Sequence, residues 1–227
     1  MNDDTLFQDI FQLLRQQSRE EGKVDTEVQL AERFKVSRFR VRRVLDRLTD
    51  MGVIARAQKR GVTLMPYSPN LLASQIYDHL SIASFDGYEI GEARTSTELE
   101  ILPLAMKRMT PVIFGDLEEK LNRMARCTEF HGAVLKLYFE CHRTILNAAG
   151  NRILYGYAYA LALHHDRVLQ SHLHHDHETV MQLLNGMREL VSYARAGKLE
   201  AARETLREML ETESSYVVAL GREENAD

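Results

Sequence analysis

The stretch Lys35-Val36-Ser37-Arg38-Phe39-Arg40-Val41-Arg42-Arg43-Val44-Leu45-Asp46-Arg47-Leu48 decides how the chain is read. Ser37 can cap a helix, its oxygen accepting from the free N–H groups of the first turn. Val41, Val44, Leu45 and Leu48 recur at helical spacing and form one apolar stripe. Arg38, Arg40, Arg42 and Arg43 crowd the other side of the first two turns. Such a charge run suits a solvated amphipathic helix. It equally suits a helix whose N-terminal half enters a groove of DNA, where arginine meets phosphates and guanine edges. The flanking sequence favours the second reading.

Upstream, Leu6, Ile10, Leu13 and Leu14 share one face of a helix over 5–20 that ends near Gly22. Thr26 caps a short helix, Glu27–Phe34, with Leu30 and Phe34 inward. Two short helices joined by a tight turn at Lys35-Val36 form a helix-turn-helix. Downstream, Val53–Arg56 and Val62–Met65 read as strands around Ala57-Gln58-Lys59-Arg60-Gly61, a basic hairpin tip carrying glycine. A hairpin beside a helix-turn-helix is a wing, placed to touch the sugar-phosphate backbone. Candidate DNA contacts are therefore Lys35, Ser37, Arg38, Phe39, Arg40, Arg42, Arg43, Lys59, Arg60 and Gly61.

Charge agrees. The 227-residue chain has a net charge of −4, yet residues 1–66 hold 13 Lys/Arg against 10 Asp/Glu. Between Arg33 and Arg60 stand ten basic residues and two acidic ones, Asp46 and Asp50. A basic segment in an otherwise acidic protein is the part that meets a polyanion. No apolar run approaches the ~20 residues that cross a bilayer. The acidic start, Met1-Asn2-Asp3-Asp4, is unlike a signal peptide. Cys127 and Cys141 lack metal-ligand spacing and suit a reducing compartment, so a cytoplasmic location is expected.

Leu30-Ala31-Glu32-Arg33-Phe34-Lys35-Val36-Ser37-Arg38, followed by Val41-Arg42 and the glycine-bearing wing, resembles the GntR superfamily of bacterial transcription regulators. That resemblance places Arg38 and Arg42 at the DNA-reading arginines and Gly61 at the wing glycine. The chain departs from the family at Val28, often arginine there, and at Lys23-Val24-Asp25, where proline-glycine is usual. Phe39 and Arg40 replace a small residue and proline, so the resemblance does not give the operator sequence.

Pro66-Tyr67-Ser68-Pro69 breaks regular structure and marks a boundary: a winged helix-turn-helix domain over 1–66, a linker over 67–74, and a helical domain over 75–227. Helical periodicity recurs over Leu71–Ile82, Asp86–Met109, Ile113–Arg126, Phe130–Ala148, Arg152–Gln170, Thr179–Ala196 and Leu199–Leu220, with stops at Gly150-Asn151 and Gly197. The fold class is mainly α, with a two-stranded wing and an all-α bundle of six to seven helices. Phe139–Ile145 with Ala148-Ala149-Gly150-Asn151, and Arg195–Ala202, resemble the FCD domain of the FadR subfamily. Arg94 with Glu98 or Glu100 resembles the start of that domain's arginine-glutamate helix.

Many FCD domains hold a divalent metal through an aspartate and three histidines. The corresponding positions here are Tyr138, His142, Met187 and Met209, so only His142 is retained. Thioether and neutral phenol are poor ligands for such ions, and no metal or other cofactor is expected. Tyr138, His142, Met187 and Met209 instead suggest an adaptable pocket with a polar handle, where Arg94 could pair an anionic ligand; His142 could also be a plain core histidine bonded to Tyr138. The run His164-His165-Asp166 with His172–His177 reads as a solvated, pH-sensitive surface. Its use as the centre of a metal-dependent sensor or metalloenzyme is the alternative. There is no phosphate loop or nucleophile elbow, so catalysis is not expected. The expectation is a homodimeric repressor that binds a pseudo-palindromic duplex operator and responds to a small organic acid or acyl-type metabolite, with no membrane partner.

Overall fold

The computed structural model describes residues 2–20, 25–57, 61–83, 85, 87–171 and 177–224. The chain divides into two compact units, Met1–Ser68 and Pro69–Asp227. The first contains α1 (Asp3–Glu20), α2 (Glu27–Phe34), α3 (Arg38–Asp50), β1 (Ile54–Ala57) and β2 (Gly61–Leu64).

Local chemistry sets each boundary. Thr26 closes a capping box on α2: its hydroxyl accepts from the Gln29 N–H while the Gln29 side chain accepts from the Thr26 N–H. Lys35 ends α2 in the left-handed region at φ 53°, a conformation that costs a non-glycine residue about 1–2 kcal/mol. It turns the chain within three residues. Ser37 then caps α3 by accepting from the Arg40 N–H. Val41, Val44, Leu45 and Leu48 pack against Leu6, Ile10 and Leu14 of α1, Leu30 of α2, and Ile54 and Val62 of the strands. Each such burial is worth about 1.5–3 kcal/mol, and together they press the apolar stripe of α3 inward.

The strands pair antiparallel, with Ile54 opposite Leu64 and Ala57 opposite Gly61. They run one residue later in β1 and one earlier in β2 than the pattern suggests. Val53 and Met65 still join through a 2.8 Å bond. Lys59 and Arg60 lie outside the described residues.

The second unit contains α4 (Pro69–Ile82), α5 (Gly87–Arg108), α6 (Pro111–Arg126), α7 (His131–Ala148), α8 (Arg152–Ser171), α9 (His177–Arg195) and α10 (Leu199–Glu224). The 67–74 linker is helical from Pro69, because a proline in a first turn gives up only an N–H that has no helical partner. Gly150 and Gly197, at φ 62° and 69°, supply the left-handed turns after α7 and α9. α4 lies along α8, α6 packs on α7 and α9, and α5 is central, touching α7, α8 and α10. Leu102, Leu117, Val134, Leu135, Leu184 and Leu190 are among the residues filling the core. Among the described residues no helix is long and apolar enough to cross a membrane.

α5 and α10 meet where α5 has no side chain. A Cβ on Gly91 would lie 2.5 Å from Ser214 Oγ and 2.8 Å from Ser214 Cβ. Gly91→Ala is therefore expected to destabilise the full chain by about 1–3 kcal/mol through overpacking, against a helix-propensity gain of about 1 kcal/mol. Chemical denaturation checks this; a more stable variant would show that the two helices separate freely there.

Candidate functional sites

On the outer face of α3, Arg38, Arg42, Arg43 and Arg47 have side chains 64%, 56%, 63% and 59% exposed. Phe39, 69% exposed, stands among them. Lys35 and Ser37 lie at the entry to the helix. The candidates from Lys35 to Arg43 therefore share the N-terminal half of α3 and the turn before it, Arg47 lies in its last turn, and Gly61 begins the second strand of the adjoining wing.

Carboxylates intersperse the arginines. Asp3 accepts from Arg40 Nε at 2.8 Å and Nη2 at 2.6 Å, and lies 3.4 Å from Arg43 Nη1. The hydrogen bond from Arg40, helped by the charges of Arg40 and Arg43, holds the Asp3 carboxyl below its usual range. Asp4 lies 3.5 Å from Arg47. Glu27 serves Arg38, Arg42 and Arg56, and Arg56 also pairs with Asp46. The pairs made by the exposed acids Asp3 and Asp4 contribute about 0–1 kcal/mol each, so phosphates can displace them. Asp3, Glu27 and Arg56 do not emerge from sequence reasoning, because the contacts of Asp3 and Glu27 with α3 span 11 to 40 positions of chain.

The helical unit holds a buried ionic cluster. Arg94 donates from Nε to Glu98 at 2.7 Å and from Nη1 to Glu213 at 2.7 Å, with all three side chains 1–2% exposed. Tyr138 donates its hydroxyl to Glu213. His142 Nδ1 is 3.2 Å from Glu98, and its ring meets Tyr138 edge-on at 4.8 Å. Helical spacing on α5 puts Arg94 and Glu98 on one face. Glu213 follows Leu206, Met209 and Leu210 on the inward stripe of α10, and that spacing is the sequence signal of its burial.

Burial by itself raises the pKa of Glu98, but the charge of Arg94 and the hydrogen bonds from His142 and Arg94 outweigh it and hold the carboxyl at about 2. Glu213 is lowered by the same arginine against its own burial, and burial lifts Tyr138 well above 10. Four side-chain atoms there have no hydrogen-bond partner among the described residues: Arg94 Nη2, His142 Nε2, which lies 3.8 Å from Glu213 Oε1, His165 Nδ1 and Asp166 Oδ1. Ser214 Oγ lies 3.4 Å from His165 Nε2. Beside Gly91 and Ser214 a surface pocket of about 500 Å³ opens between α5 and α10, lined also by Tyr88, Glu92, Thr95 and Glu211.

The structure thus brings Arg94, Tyr138 and His142 together. Met187 and Met209 sit in the apolar core, the latter against Gly186. The donor set does not fit the divalent metal of many FCD domains. Two of its four positions are thioethers, the Tyr138 hydroxyl is engaged by Glu213, and Glu98 and Glu213 are both held by Arg94. Among the described residues no group of three His, Cys, Asp or Glu side chains is placed to hold a metal.

The solvated reading of the histidine run fails for its first part. His165 and Asp166 are 0% and 5% exposed, because α8 turns them toward α5 and α10. Burial, with the charge of Arg94, lowers the pKa of His165 to about 4. Residues 172–176 lie outside the described residues.

Two stability effects follow. Arg94→Ala leaves two buried carboxylates uncompensated and should cost about 3–5 kcal/mol, measured by denaturant unfolding; a loss under 1 kcal/mol would contradict the cluster's role. Burial raises the Asp166 pKa from 3.8 to about 7. The stability linked to its bound proton is complete below pH 3.8, shrinks as pH rises and is gone above about 7. Asp166→Asn should therefore gain on the parent as pH rises from 3.8 to about 7, and parallel pH profiles would refute this.

Comparison with known proteins agrees with both units. Residues 3–64 match the gntR family of bacterial regulatory proteins, and residues 89–212 match the FCD domain. The HTH-type transcriptional regulator LutR of Bacillus subtilis (strain 168) is 26% identical over 132 residues, 58% of this chain and 60% of its own length. The uncharacterized HTH-type transcriptional regulator YcbG of the same organism is 28% identical over 154 residues, 67% and 63%. The matched part thus spans about 60% of these relatives. The fold resembles that of a Streptococcus agalactiae GntR, with a TM-score of 0.64 at 18% identity over 93% of this chain and 99% of that one. E. coli McbR/YncC gives 0.54 at 18% over 95% and 98%. The chain belongs to the GntR family of DNA-binding transcription regulators, not to an enzyme family, and its helical unit is an FCD domain.

Proposed function

We propose that this chain is a ligand-controlled repressor of the FadR subfamily, acting in the cytoplasm as a homodimer on a pseudo-palindromic operator. The observation that carries this is the exposed arginine face of α3, seated on a helix-turn-helix and flanked by a wing. Arg38 and Arg42 read guanine edges in the major groove, Arg40 and Arg43 add phosphate or base contacts, and Phe39 meets the thymine methyl. Lys35, Ser37, Lys59, Arg60 and Gly61 contact the backbone. Two such units on a two-fold axis match two half-sites. Repression follows from occupancy, since a dimer seated on promoter DNA excludes the polymerase.

The helical unit senses a small organic acid or acyl-type metabolite. What supports this is the cluster of unpartnered buried polar atoms beside the pocket between α5 and α10. A ligand carboxylate entering there competes with Glu213 for Arg94. That exchange loosens the link between α5 and α10 and gives the ligand different affinities for two arrangements, which any ligand control requires. Arg94, Tyr138 and His142 contact the ligand, with Met187 and Met209 adapting behind them.

Operators selected from a random duplex pool test the DNA reading. Arg38→Ala with Arg42→Ala should reduce discrimination against scrambled DNA by at least about thirtyfold, from two bidentate contacts of about 1–3 kcal/mol each, and flatten the salt dependence. Unchanged discrimination would refute the assignment of α3. Thermal shifts with carboxylic acids and acyl thioesters test the ligand. Glu213→Gln, which frees Arg94, should strengthen the shift given by a binding acid, and EDTA should leave it unaltered. If no acid shifts either protein, the acid class is wrong.

A further inference from the structure

One carboxylate stands at the centre of the α3 face. Glu27, the first residue of α2, accepts from Arg42 Nη2 at 3.0 Å and Nε at 3.3 Å. It also lies 3.6 Å from Arg38 Nε and accepts from Arg56 Nη2 at 3.2 Å. Its side chain is only 16% exposed, against 64% for Arg38 and 56% for Arg42. Three guanidiniums, two from α3 and one from β1, therefore converge on one half-buried acid.

Guanidinium geometry gives this arrangement a consequence. The group is planar and carries five N–H donors in a fixed fork. Glu27 takes the Nε–Nη2 edge of Arg42, leaving the Nη1–Nη2 edge with its donors turned away from α2. That is the edge which fits guanine O6 and N7 together. Arg56 is spent differently: its Nη1 holds Asp46 while Nη2 holds Glu27, so it fastens β1 to α3 and offsets the clustered negative charge. An arginine without such a partner would lose more rotamer freedom on binding a base.

We propose that Glu27 is a positioning residue for base reading: it holds Arg42, and more loosely Arg38, with the outer guanidinium edge presented to the major groove. Its charge also repels phosphates, so it sets sequence discrimination while lowering non-specific affinity. This rests on the reading of α3 as the DNA-contacting helix. The competing role for Glu27 is that of a first-turn acid that favours α2 through the helix dipole, which would leave base discrimination untouched.

The test uses the full chain and an operator selected from a random duplex pool, with affinities measured for that operator, for guanine-to-adenine variants of it, and for a scrambled duplex. Glu27→Gln should bind the scrambled duplex several-fold more tightly and lose about tenfold in discrimination at one guanine per half-site. Glu27→Asp, one methylene shorter but still charged, should lose discrimination without gaining scrambled affinity. In an Arg42→Ala background Glu27→Gln should cause no further loss at that guanine. If Glu27→Gln raises operator and scrambled affinity by the same factor, or costs as much discrimination without Arg42 as with it, the positioning role is wrong. If the parent chain selects no sequence, the operator reading fails and takes this role with it. An operator read equally well by Glu27→Gln defeats the positioning role alone.

Discussion

A guanidinium sealed between two carboxylates holds the centre of the helical unit. Arg94 joins Glu98 on its own helix to Glu213 on α10, and Tyr138 and His142 of α7 close around the same carboxylates. Removing these charges from water is expensive, and their attraction repays it only because the geometry is good and the remaining lone pairs are engaged. Such a cluster is a poor source of net stability. It is a strong constraint on register, because shifting α10 by one turn would bury Glu213 away from Arg94. Among the described residues, atoms of Arg94, His142, His165 and Asp166 that lack a hydrogen-bond partner make it a place where a polar ligand has bonds to offer.

The same pair of chemistries, arginine and carboxylate, appears on α3 under opposite conditions. There the arginines are more than half exposed for the most part, and solvent and salt screen each pair. A pair that cannot be exchanged in the core can be exchanged at the surface. On the proposed reading the exposed acids Asp3 and Asp4 hold the places of DNA phosphates until the duplex arrives, while Glu27 stays on its arginines. Burial, more than residue type, separates a structural ion pair from one available to a partner.

How much was legible in the sequence depended on the range of the interaction. Ser37, the Val41–Leu48 stripe and Thr26 act within one or two helical turns, so α2 and α3 could be placed residue by residue. The seven helices of the second unit followed from the same periodicity, with Gly150 and Gly197 as stops. The buried cluster was legible only in part. Arg94 and His142 drew notice, but Glu213 lies 119 residues from Arg94, and only its place on the inward stripe of α10 hinted at burial. His165 and Asp166 are buried where their composition suggests surface, because composition says nothing about which way a helix faces. The convergence of Arg38, Arg42 and Arg56 on Glu27 needs three elements in contact, and no local pattern encodes it.

The account stands on α3 lying in the major groove. Dimethyl sulfate protection of a selected operator by the full chain tests this most directly, because the reagent methylates guanine N7 in the major groove and adenine N3 in the minor groove. The account predicts guanine N7 protected in each half-site, with that protection lost on Arg42→Ala. Protection of adenine N3 alone, or guanine N7 protection that survives Arg42→Ala and Arg38→Ala together, would contradict it.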